Sequence, residues 1–319
     1  MVTGVGYIGA QLVRGLLAEG EEVVAVDNLF STDPSAIAKF REDRRFVFVK
    51  GNVGRAGVLK QAFEAFPSID VVYSLAAQAS AHADAATPRY TENTNLLAPR
   101  LLLDAMAHYS ARSLVFASSF RVYGDDLPPA ITEDQPYGRF GDLSHLSKCY
   151  AEKLLEMYAY RYGLRCLAVR LGVTYGVGPV MKKDYRFMTA PNKFSLQAVR
   201  GERIAVYGSG LNPTGFIHVA DAARAMRAVA ALEAPDGYLA VNAVSEMMPV
   251  SAVAQIVADE GRTRGLEVVV SIEDIGGAAK GAAKGAPKIG SRLDSVGFRP
   301  ERSLQDGVEE MIDYFSPAK

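Results

Sequence analysis

Three glycines within the first nine residues constrain the fold of this chain more than any other feature. Gly4, Gly6 and Gly9 form the pattern Gly-x-Gly-x-x-Gly between a short apolar start and a helical run at 10–17. In a strand–turn–helix unit the first glycine permits the tight turn, the second lets backbone approach a pyrophosphate, and the third lets helix and strand pack closely. The pattern predicts a dinucleotide site on a helix N-terminus. The alternative is a glycine turn in a sheet protein without a ligand.

A carboxylate at the end of the next apolar run indicates which dinucleotide would bind. Asp27 follows the run 22–26, at the place where an acidic side chain can hydrogen-bond both hydroxyls of an adenosine ribose. The same carboxylate would repel the additional phosphate of NADP. We therefore expect NAD as the cofactor.

The first half of the chain alternates short apolar runs with helical stretches, which is typical of a parallel sheet covered on both faces. We predict an α/β fold, a Rossmann-like doubly wound parallel sheet, over 1–171 with return segments near 214–245. A smaller, mainly substrate-binding C-terminal lobe is expected over 172–319. Only three residues precede the first glycine, so we expect a late start codon or a trimmed first strand. The Gly/Ala/Lys-rich segment 276–287 predicts a mobile loop, with a phosphate-contacting flap as the alternative.

The overall charge argues for small-molecule partners. Lys and Arg total 35 against 36 Asp and Glu, so the chain has no basic field for nucleic acid or an anionic membrane. No apolar run is long enough for a membrane span, and the N-terminus lacks the pattern of a secretory signal. Cys149 and Cys166 have neither metal-ligand spacing nor the density of a disulfide framework, and the four histidines are scattered. We expect a cytoplasmic protein without a metal site.

Several further segments make the chain resemble the extended short-chain dehydrogenases/reductases that act on nucleotide sugars as epimerases and dehydratases. The resemblance covers nearly the whole chain and rests on the glycine turn, Gly51-Asn52-Val53, Ser118-Ser119, Val122-Tyr123-Gly124, Ser147-Lys148, Tyr175-Gly176 and the segment 216–221. It implies NAD as cofactor and a homodimer with the helices 90–109 and 146–162 at the interface. The cofactor-binding residues that it implies are Gly4, Gly6, Tyr7, Ile8, Gly9, Asp27, Asn28, Asn52, Val53, Leu75, Ala76, Ala77, Gln78, Asn95 and Lys148.

The family's catalytic tyrosine is replaced in this chain. By resemblance, a tyrosine phenolate takes a sugar hydroxyl proton, and a lysine four residues later lowers the pKa of that tyrosine. Lys148 is the evident lysine, Ser119 matches the residue that hydrogen-bonds the reacting hydroxyl, and Ser144 stands at the tyrosine position. Ser144 is a poor base, although it can position a water. His145 lies about 100° further around the helix and is either catalytic or an ordinary polar residue; an engineered serine is a further alternative.

The substrate side also departs from the family. Phe120 and Arg121 stand where the resemblance puts the Asp-Glu pair of 4,6-dehydratases, which argues against that reaction. Thr214-Gly215 replaces an Arg-Asp pair whose arginine grips a substrate phosphate, so Arg292, Arg203 or Lys193 would have to compensate. The expected substrate-binding residues are Gln78, Ser119, Phe120, Arg121, Asn192, Val206 and Arg292.

These residues together predict an NAD-dependent epimerase that acts on carbon 4 of a UDP-hexose by transient hydride transfer. The segments 145–148, 172–177 and 192–198 also resemble UDP-sulfoquinovose synthase, which makes a sulfosugar synthase-like enzyme the first alternative. The missing tyrosine leaves a second alternative, a non-catalytic protein that binds NAD or a sugar nucleotide.

Overall fold

A computed structural model describes residues 1–80, 82, 84–208, 210–235, 237–273 and 285–317, without the side chain of Ala36. The Gly/Ala/Lys-rich segment therefore lies outside the described residues except for its last three positions. The strands are β1 Val2–Thr3, β2 Val23–Asp27, β3 Phe46–Lys50, β4 Val71–Ser74, β5 Ser113–Ser119, β6 Ala130–Ile131, β7 Arg165–Leu171, β8 Val173–Tyr175, β9 Ile204–Tyr207, β10 Pro213–His218, β11 Tyr238–Ala243, β12 Glu246–Pro249, β13 Val270–Glu273 and β14 Lys288–Ile289.

The described helices connect and cover these strands. A π-helical turn, Asn93–Leu97, joins the fourth helix to the fifth, so that both form one continuous helical stretch. The α-helices are α1 Tyr7–Ala18, α2 Pro34–Ala38, α3 Ala56–Phe63, α4 Pro88–Glu92, α5 Ala98–His108, α6 Leu143–Tyr162, α7 Ala190–Val199, α8 Val219–Val229, α9 Val250–Thr263 and α10 Leu304–Phe315. None of the described helices is long and apolar enough to cross a membrane.

The central sheet has seven parallel strands in the order β3-β2-β1-β4-β5-β7-β11. The chain moves outward from β1 in one direction through β2 and β3, and then returns to the other side of β1 with β4. This reversal opens a crevice at the carboxyl ends of β1 and β4, where open α/β sheets bind their ligands. The expected doubly wound parallel sheet is confirmed.

Alternation along β2 shows how the sheet is buried on both faces. Val23 and Ala25 pack in the layer that contains α1 and α8, whereas Val24 and Val26 pack in the layer that contains α3, α5 and α6. All four side chains are almost completely buried. A strand covered in this way reads as a continuous apolar run, which is why the sequence revealed it.

The second half of the chain contributes to two bodies of structure. β11 and α8 join the central sheet and its covering layer. A third core lies under α7, α9 and α10, which pack beside the small sheet β12-β10-β8 and the pair β13-β9. The site lies between this group and the carboxyl edge of the central sheet.

Candidate active site

One cleft of about 1160 Å³ runs along the carboxyl edge of the central sheet. Its walls come from the glycine turn, the ends of β2, β4 and β5, the first turns of α6 and the substrate-side elements α7, β9 and β10. The predicted residues that line it are Gly4, Gly6, Tyr7, Ile8, Gly9, Asp27, Asn28, Asn52, Val53, Leu75, Ala76, Ala77, Gln78, Ser119, Phe120, Arg121, His145, Lys148 and Val206.

Each glycine of the turn meets a different spatial demand. Gly4 has a φ of +82°, and a Cβ there would lie 2.5 Å from the backbone nitrogen of Ala76. A Cβ on Gly9 would lie 1.9 Å from the Gly4 carbonyl oxygen, whereas one on Gly6 would meet only Thr32 Oγ1, at 3.7 Å. Gly4 and Gly9 are therefore required by packing within the protein. Gly6 instead borders the open cleft, at the N-terminus of α1.

Asp27 lines the cleft beside the glycine turn, at the end where the adenosine ribose is expected (the adenosine end), and backbone amides bind its carboxylate. Its carboxylate accepts hydrogen bonds from the amides of Val5 and Leu29, both at 2.7 Å. Burial raises the pKa of Asp27, while these hydrogen bonds and the charge of Lys182 oppose the rise. The aromatic ring of Phe30 stacks 4.6 Å from that of Tyr90 at the same end. Lys182 and Tyr90 also line this end of the cleft. No sequence motif indicates either residue, because both reach the cleft from segments distant from Asp27.

Gln78 lies in the wall after β4, and Asn95 supports it from behind. Asn95 accepts a hydrogen bond from the Gln78 amide and donates one to the Gln78 carbonyl, both at 2.8 Å, and it also donates to Ser147 Oγ at 3.0 Å. Asn95 is buried and does not line the cleft. Gln78 Oε1 is buried without a partner in the described structure, so the wall offers an unused acceptor to a ligand.

Ser119 and Lys148 reach the cleft from β5 and α6. Ser119 Oγ accepts the Arg121 amide at 3.2 Å and thereby caps the short turn that follows the strand. Lys148 Nζ donates to the Ala117 carbonyl at 2.7 Å and lies 4.8 Å from the centre of the Phe116 ring. Burial lowers the pKa of Lys148 to about 8, against the opposing charge of Glu152. Lys148 is therefore a lysine beside the end of β5 that can lose its proton close to neutral pH.

The start of α6 separates the two residues proposed in place of the tyrosine. Ser144 is buried behind the wall, where its hydroxyl donates to the Gln78 carbonyl at 3.2 Å. His145 lines the cleft, and its Nδ1 lies 2.5 Å from Asp142 Oδ2. Asp142 is the N-cap of α6, and the sequence analysis did not identify it. A polar residue before a helical run is a capping signal, but its contact with a histidine ring appears only in three dimensions.

A buried ion pair lies behind the part of the cleft wall that Ser119 and Lys148 form, which is the expected catalytic wall. Arg170 Nη2 is 2.7 Å from Glu152 Oε2, and both side chains are almost fully buried. Ser118 donates to the same carboxylate, and Arg170 donates to Tyr123 Oη at 2.7 Å. Removing one member would leave a buried charge unpaired, so this network holds β5, β7 and α6 in register beneath Ser119 and Lys148.

The substrate side brings only some of the expected residues to the cleft. Asn192 is buried behind the wall and donates to Tyr7 Oη at 3.2 Å. Arg292 pairs with Asp134 at 2.7 Å and does not line the cleft, and neither does Arg203, which pairs with Glu273 at 2.6 Å. Lys193 does line it, at the first turn of α7.

The residues present fit a bound NAD. The space in front of Gly6 and the free N-terminus of α1 suit a pyrophosphate. Asp27 ends β2 where the adenosine ribose is expected, and the unpaired Gln78 oxygen and the Lys148 ammonium lie toward the other end. Fold and cleft together define a dinucleotide-binding α/β protein of the extended short-chain dehydrogenase type.

Comparison with known proteins agrees with this class. The model of the NAD dependent epimerase/dehydratase family matches residues 1–242, and the chain belongs to this family. It is 29% identical over 260 residues to UDP-glucuronate 4-epimerase of Thermodesulfobacterium geofontis, which covers 79% of this chain and 76% of that protein. It is 29% identical over 235 residues to UDP-glucose 4-epimerase of Lacticaseibacillus casei, and this match covers 70% of this chain and 68% of that protein.

Solved structures show the same architecture. The structure of Thermus thermophilus UDP-glucose 4-epimerase in complex with NAD is 25% identical in sequence and has a TM-score of 0.81. The match covers 98% of this chain and 97% of that chain. MoeE5 in complex with UDP-glucuronic acid and NAD is also 25% identical, with a TM-score of 0.78 and the same coverage. The predictions of this family and of NAD as its cofactor are confirmed.

Proposed function

We propose that the protein is an NAD-dependent 4-epimerase of a UDP-hexose. The observation that carries the proposal is that Ser119, Lys148 and His145 line the same cleft as the glycine turn and Asp27. A sugar hydroxyl placed beside these three side chains would also lie beside the nicotinamide end. The UDP-sugar epimerases among the relatives support the same reaction class.

The side chains of the wall have separable tasks in this reaction. When bound, NAD supplies the acceptor, and later the donor, of the hydride at carbon 4. Ser119 would orient the carbon 4 hydroxyl by a hydrogen bond, because its Oγ lies at the end of β5 in the cleft wall. Lys148, in its protonated form, would stabilise negative charge on the oxygen as its proton leaves. Rotation of the ketosugar within the cleft then exposes its other face before the proton and hydride return.

Lys193 is the best candidate for holding the substrate diphosphate. It lines the cleft, its ammonium lies 5.8 Å from the centre of the Tyr185 ring, and it pairs with no carboxylate in the described part of the chain. Arg203 and Arg292 are already occupied by carboxylates away from the cleft. A lysine binds phosphate as a point charge, which would replace the grip lost where Thr214-Gly215 stands.

A homodimer is part of the proposal. Leu97, on the turn before α5, and Leu146, Tyr150 and Met157, on α6, are large side chains that are all at least 39% exposed. Spacings of four and seven residues place the last three along one side of α6. Exposed apolar side chains in such a row are typical of a helix–helix interface. A dimer by light scattering that Leu146→Asp converts to monomer supports this interface; an unchanged dimer contradicts it.

We also expect the protein to act in the cytoplasm. Cys149 and Cys166 are both free and buried, and burial raises the pKa of each thiol to about 12. Free thiols without a disulfide are usual in a reducing compartment. Fractionation of the native host, with the protein followed by antibody, tests this expectation.

Turnover of purified protein tests the proposed reaction. UDP-glucose, UDP-galactose and UDP-glucuronate are incubated in turn with the NAD-loaded protein, and products are separated by chromatography. Interconversion of one 4-epimer pair, lost in Lys148→Met with bound NAD retained, supports the proposal. A product formed only with sulfite added would favour the sulfosugar synthase-like reaction. Binding of the UDP-sugar without turnover or absorbance change at 340 nm would favour a non-catalytic binding protein.

A further inference from the structure

The proposed reaction needs a proton acceptor in the cleft, and Ser144 is poorly placed for this task. Its hydroxyl is buried behind the wall and already donates to the Gln78 carbonyl. Tyrosines elsewhere in the cleft have other roles: the hydroxyl of Tyr7 donates to the Gly176 carbonyl, and that of Tyr185 to Glu202 at 2.8 Å. Burial further raises the pKa of Tyr7.

The two remaining cleft tyrosines lie away from the catalytic wall. Tyr90 stacks on Phe30 at the adenosine end, and its hydroxyl accepts a hydrogen bond from Asn28 at 3.3 Å. Tyr207 ends β9 on the substrate side and is 57% exposed. Among the described residues that line the cleft, no tyrosine is therefore placed to act as the proton acceptor that the family has at the Ser144 position.

Asp142 and His145 form a pair at the start of α6, and His145 lines the cleft. Asp142 Oδ1 accepts the His145 amide at 2.9 Å, which caps α6, and Asp142 Oδ2 lies 2.5 Å from Nδ1 of the ring. Burial raises the pKa of Asp142, but the hydrogen bonds from His145 outweigh it, so the pKa is lowered and the group is a carboxylate. Nδ1 bonded to a carboxylate leaves Nε2 as the ring nitrogen available to a ligand. His145 is 20% exposed.

We propose that His145 replaces the family's tyrosine as the acid–base group, with Asp142 as its positioning residue. This inference rests on the proposed epimerase function. The carbon 4 hydroxyl gives its proton to Nε2 while the carbon 4–hydrogen bond breaks and hydride passes to the NAD named above. A carbonyl and an imidazolium result, and Asp142 stabilises the charge on the ring. The return of hydride to the other face is accompanied by return of the same proton to oxygen, so nothing is consumed.

Charged groups around the pair set the conditions for its proton transfer. Arg121, on the turn after β5, lowers the pKa of Asp142 by its charge, and it is itself 2.8 Å from Asp125. Lys148 lies one helical turn further along α6 and lines the same cleft. Arg121, His145 and Lys148 all line the cleft, so two cations and the Asp142 carboxylate form the charged surroundings of the ring.

His145→Gln and Asp142→Asn test the pair, and His108→Gln is the matched control because His108 is exposed at the end of α5, outside the cleft. Asparagine caps helices as well as aspartate does, so Asp142→Asn keeps α6 while removing the charge. All variants are compared by thermal unfolding and by retained NAD. The rates are measured with the UDP-sugar that the wild type converts.

We expect His145→Gln to lower kcat by about 10²- to 10⁴-fold with KM changed less than about threefold. Asp142→Asn should lower kcat less, by about 10- to 100-fold, with KM changed less than about threefold, because the ring loses the carboxylate that positions it and stabilises the imidazolium. His108→Gln should match the wild type. A His145→Gln variant with wild-type kcat and pH profile overturns the proposal.

Ser144→Tyr separates failure of the pair from failure of the reaction. If the pair acts as proposed, adding His145→Gln to Ser144→Tyr costs less than about tenfold, because the tyrosine supplies its own proton acceptor beside Lys148. Wild-type turnover that His145→Gln leaves unchanged overturns the pair and leaves the epimerase function standing. Turnover by Ser144→Tyr and not by the wild type overturns both and favours the non-catalytic binding protein. Turnover by neither protein overturns the epimerase function and the pair with it.

Discussion

The two ends of the cleft differ in whether backbone or side-chain groups would contact the ligand. At the adenosine end, the glycine turn and the amides that bind Asp27 form a cradle made largely of backbone. At the sugar end, the chemistry depends on side chains, and there Ser144 and Thr214-Gly215 differ from the family pattern. A backbone cradle is inseparable from the fold, because its glycines are required for the chain to pack. A side-chain relay can be rebuilt from neighbours such as His145 without altering the fold.

The largest expected effect is at the backbone end, where Gly9→Ala would force a Cβ to within 1.9 Å of the Gly4 carbonyl oxygen. Backbone cannot yield as a flexible side chain can, so we expect a loss of about 3 kcal/mol in the free energy of unfolding. Retained NAD should fall with it. Chemical denaturation measures the free energy of unfolding, and the ratio of absorbance at 260 nm to that at 280 nm of the purified protein measures the retained NAD.

Gly6→Ala is the matched variant, because its Cβ would meet only Thr32 Oγ1 at 3.7 Å. We expect wild-type stability of the cofactor-free protein but weaker NAD binding, since the methyl group would occupy space next to the pyrophosphate. Equal stability of the two alanine variants would break the distinction between a glycine needed for packing and one needed for the ligand.

Asp27→Asn tests the cofactor choice at the same end. We expect the ratio of NAD to NADP affinity to fall by about 100-fold, because a charge that repels the 2′-phosphate is removed. Lys182, whose charge acts on Asp27, would then be free to attract that phosphate. Calorimetric titration of the cofactor-free protein with each dinucleotide gives the ratio, and an unchanged preference for NAD would show that Asp27 does not select the cofactor.

Lys148 provides a pH-dependent comparison at the catalytic end. Its folded-state pKa of about 8 lies below the ordinary lysine value of 10.5, so the unfolded chain binds more protons between these two values. The free energy of unfolding should therefore rise with pH in that window, by about 2 kcal/mol from pH 8 to pH 10 for this group. The measurement is the difference between wild type and Lys148→Met in cofactor-free protein. A constant difference across the window would contradict the buried, partly deprotonated lysine.

The contrast between backbone and side-chain groups also explains which features could be predicted from the sequence. The parallel sheet was predictable because its strands are continuous apolar runs, and the glycine turn because its spacing encodes local geometry. Ser119 and Lys148 follow from their neighbours in the chain. Asp142 was not identified, because its carboxylate is matched to the His145 ring only by the cap geometry of α6.

The other differences between the predicted and the observed site arise because residues far apart in the sequence lie close together in the fold. Lys182 and Tyr90 reach the adenosine end from segments far from Asp27 in the sequence. Asn95, Asn192 and Arg292 were expected at the ligand, but tertiary packing puts the two asparagines behind the wall and pairs Arg292 with Asp134 away from the cleft. Residue type and position within an element do not determine which side of a wall a polar side chain occupies, since that depends on partners elsewhere in the chain.

The smallest expected effect is at Lys193, and it tests whether substrate grip has been rebuilt as we propose for the proton relay. Lys193→Gln should raise KM for the UDP-sugar about tenfold and leave kcat within about twofold, because the diphosphate is held equally in the ground and transition states. Arg203→Gln is the matched control, since Arg203 pairs with Glu273 away from the cleft. Raising the salt concentration should weaken the wild type more than Lys193→Gln. A KM that rises in Arg203→Gln and not in Lys193→Gln would assign the grip to the other cation.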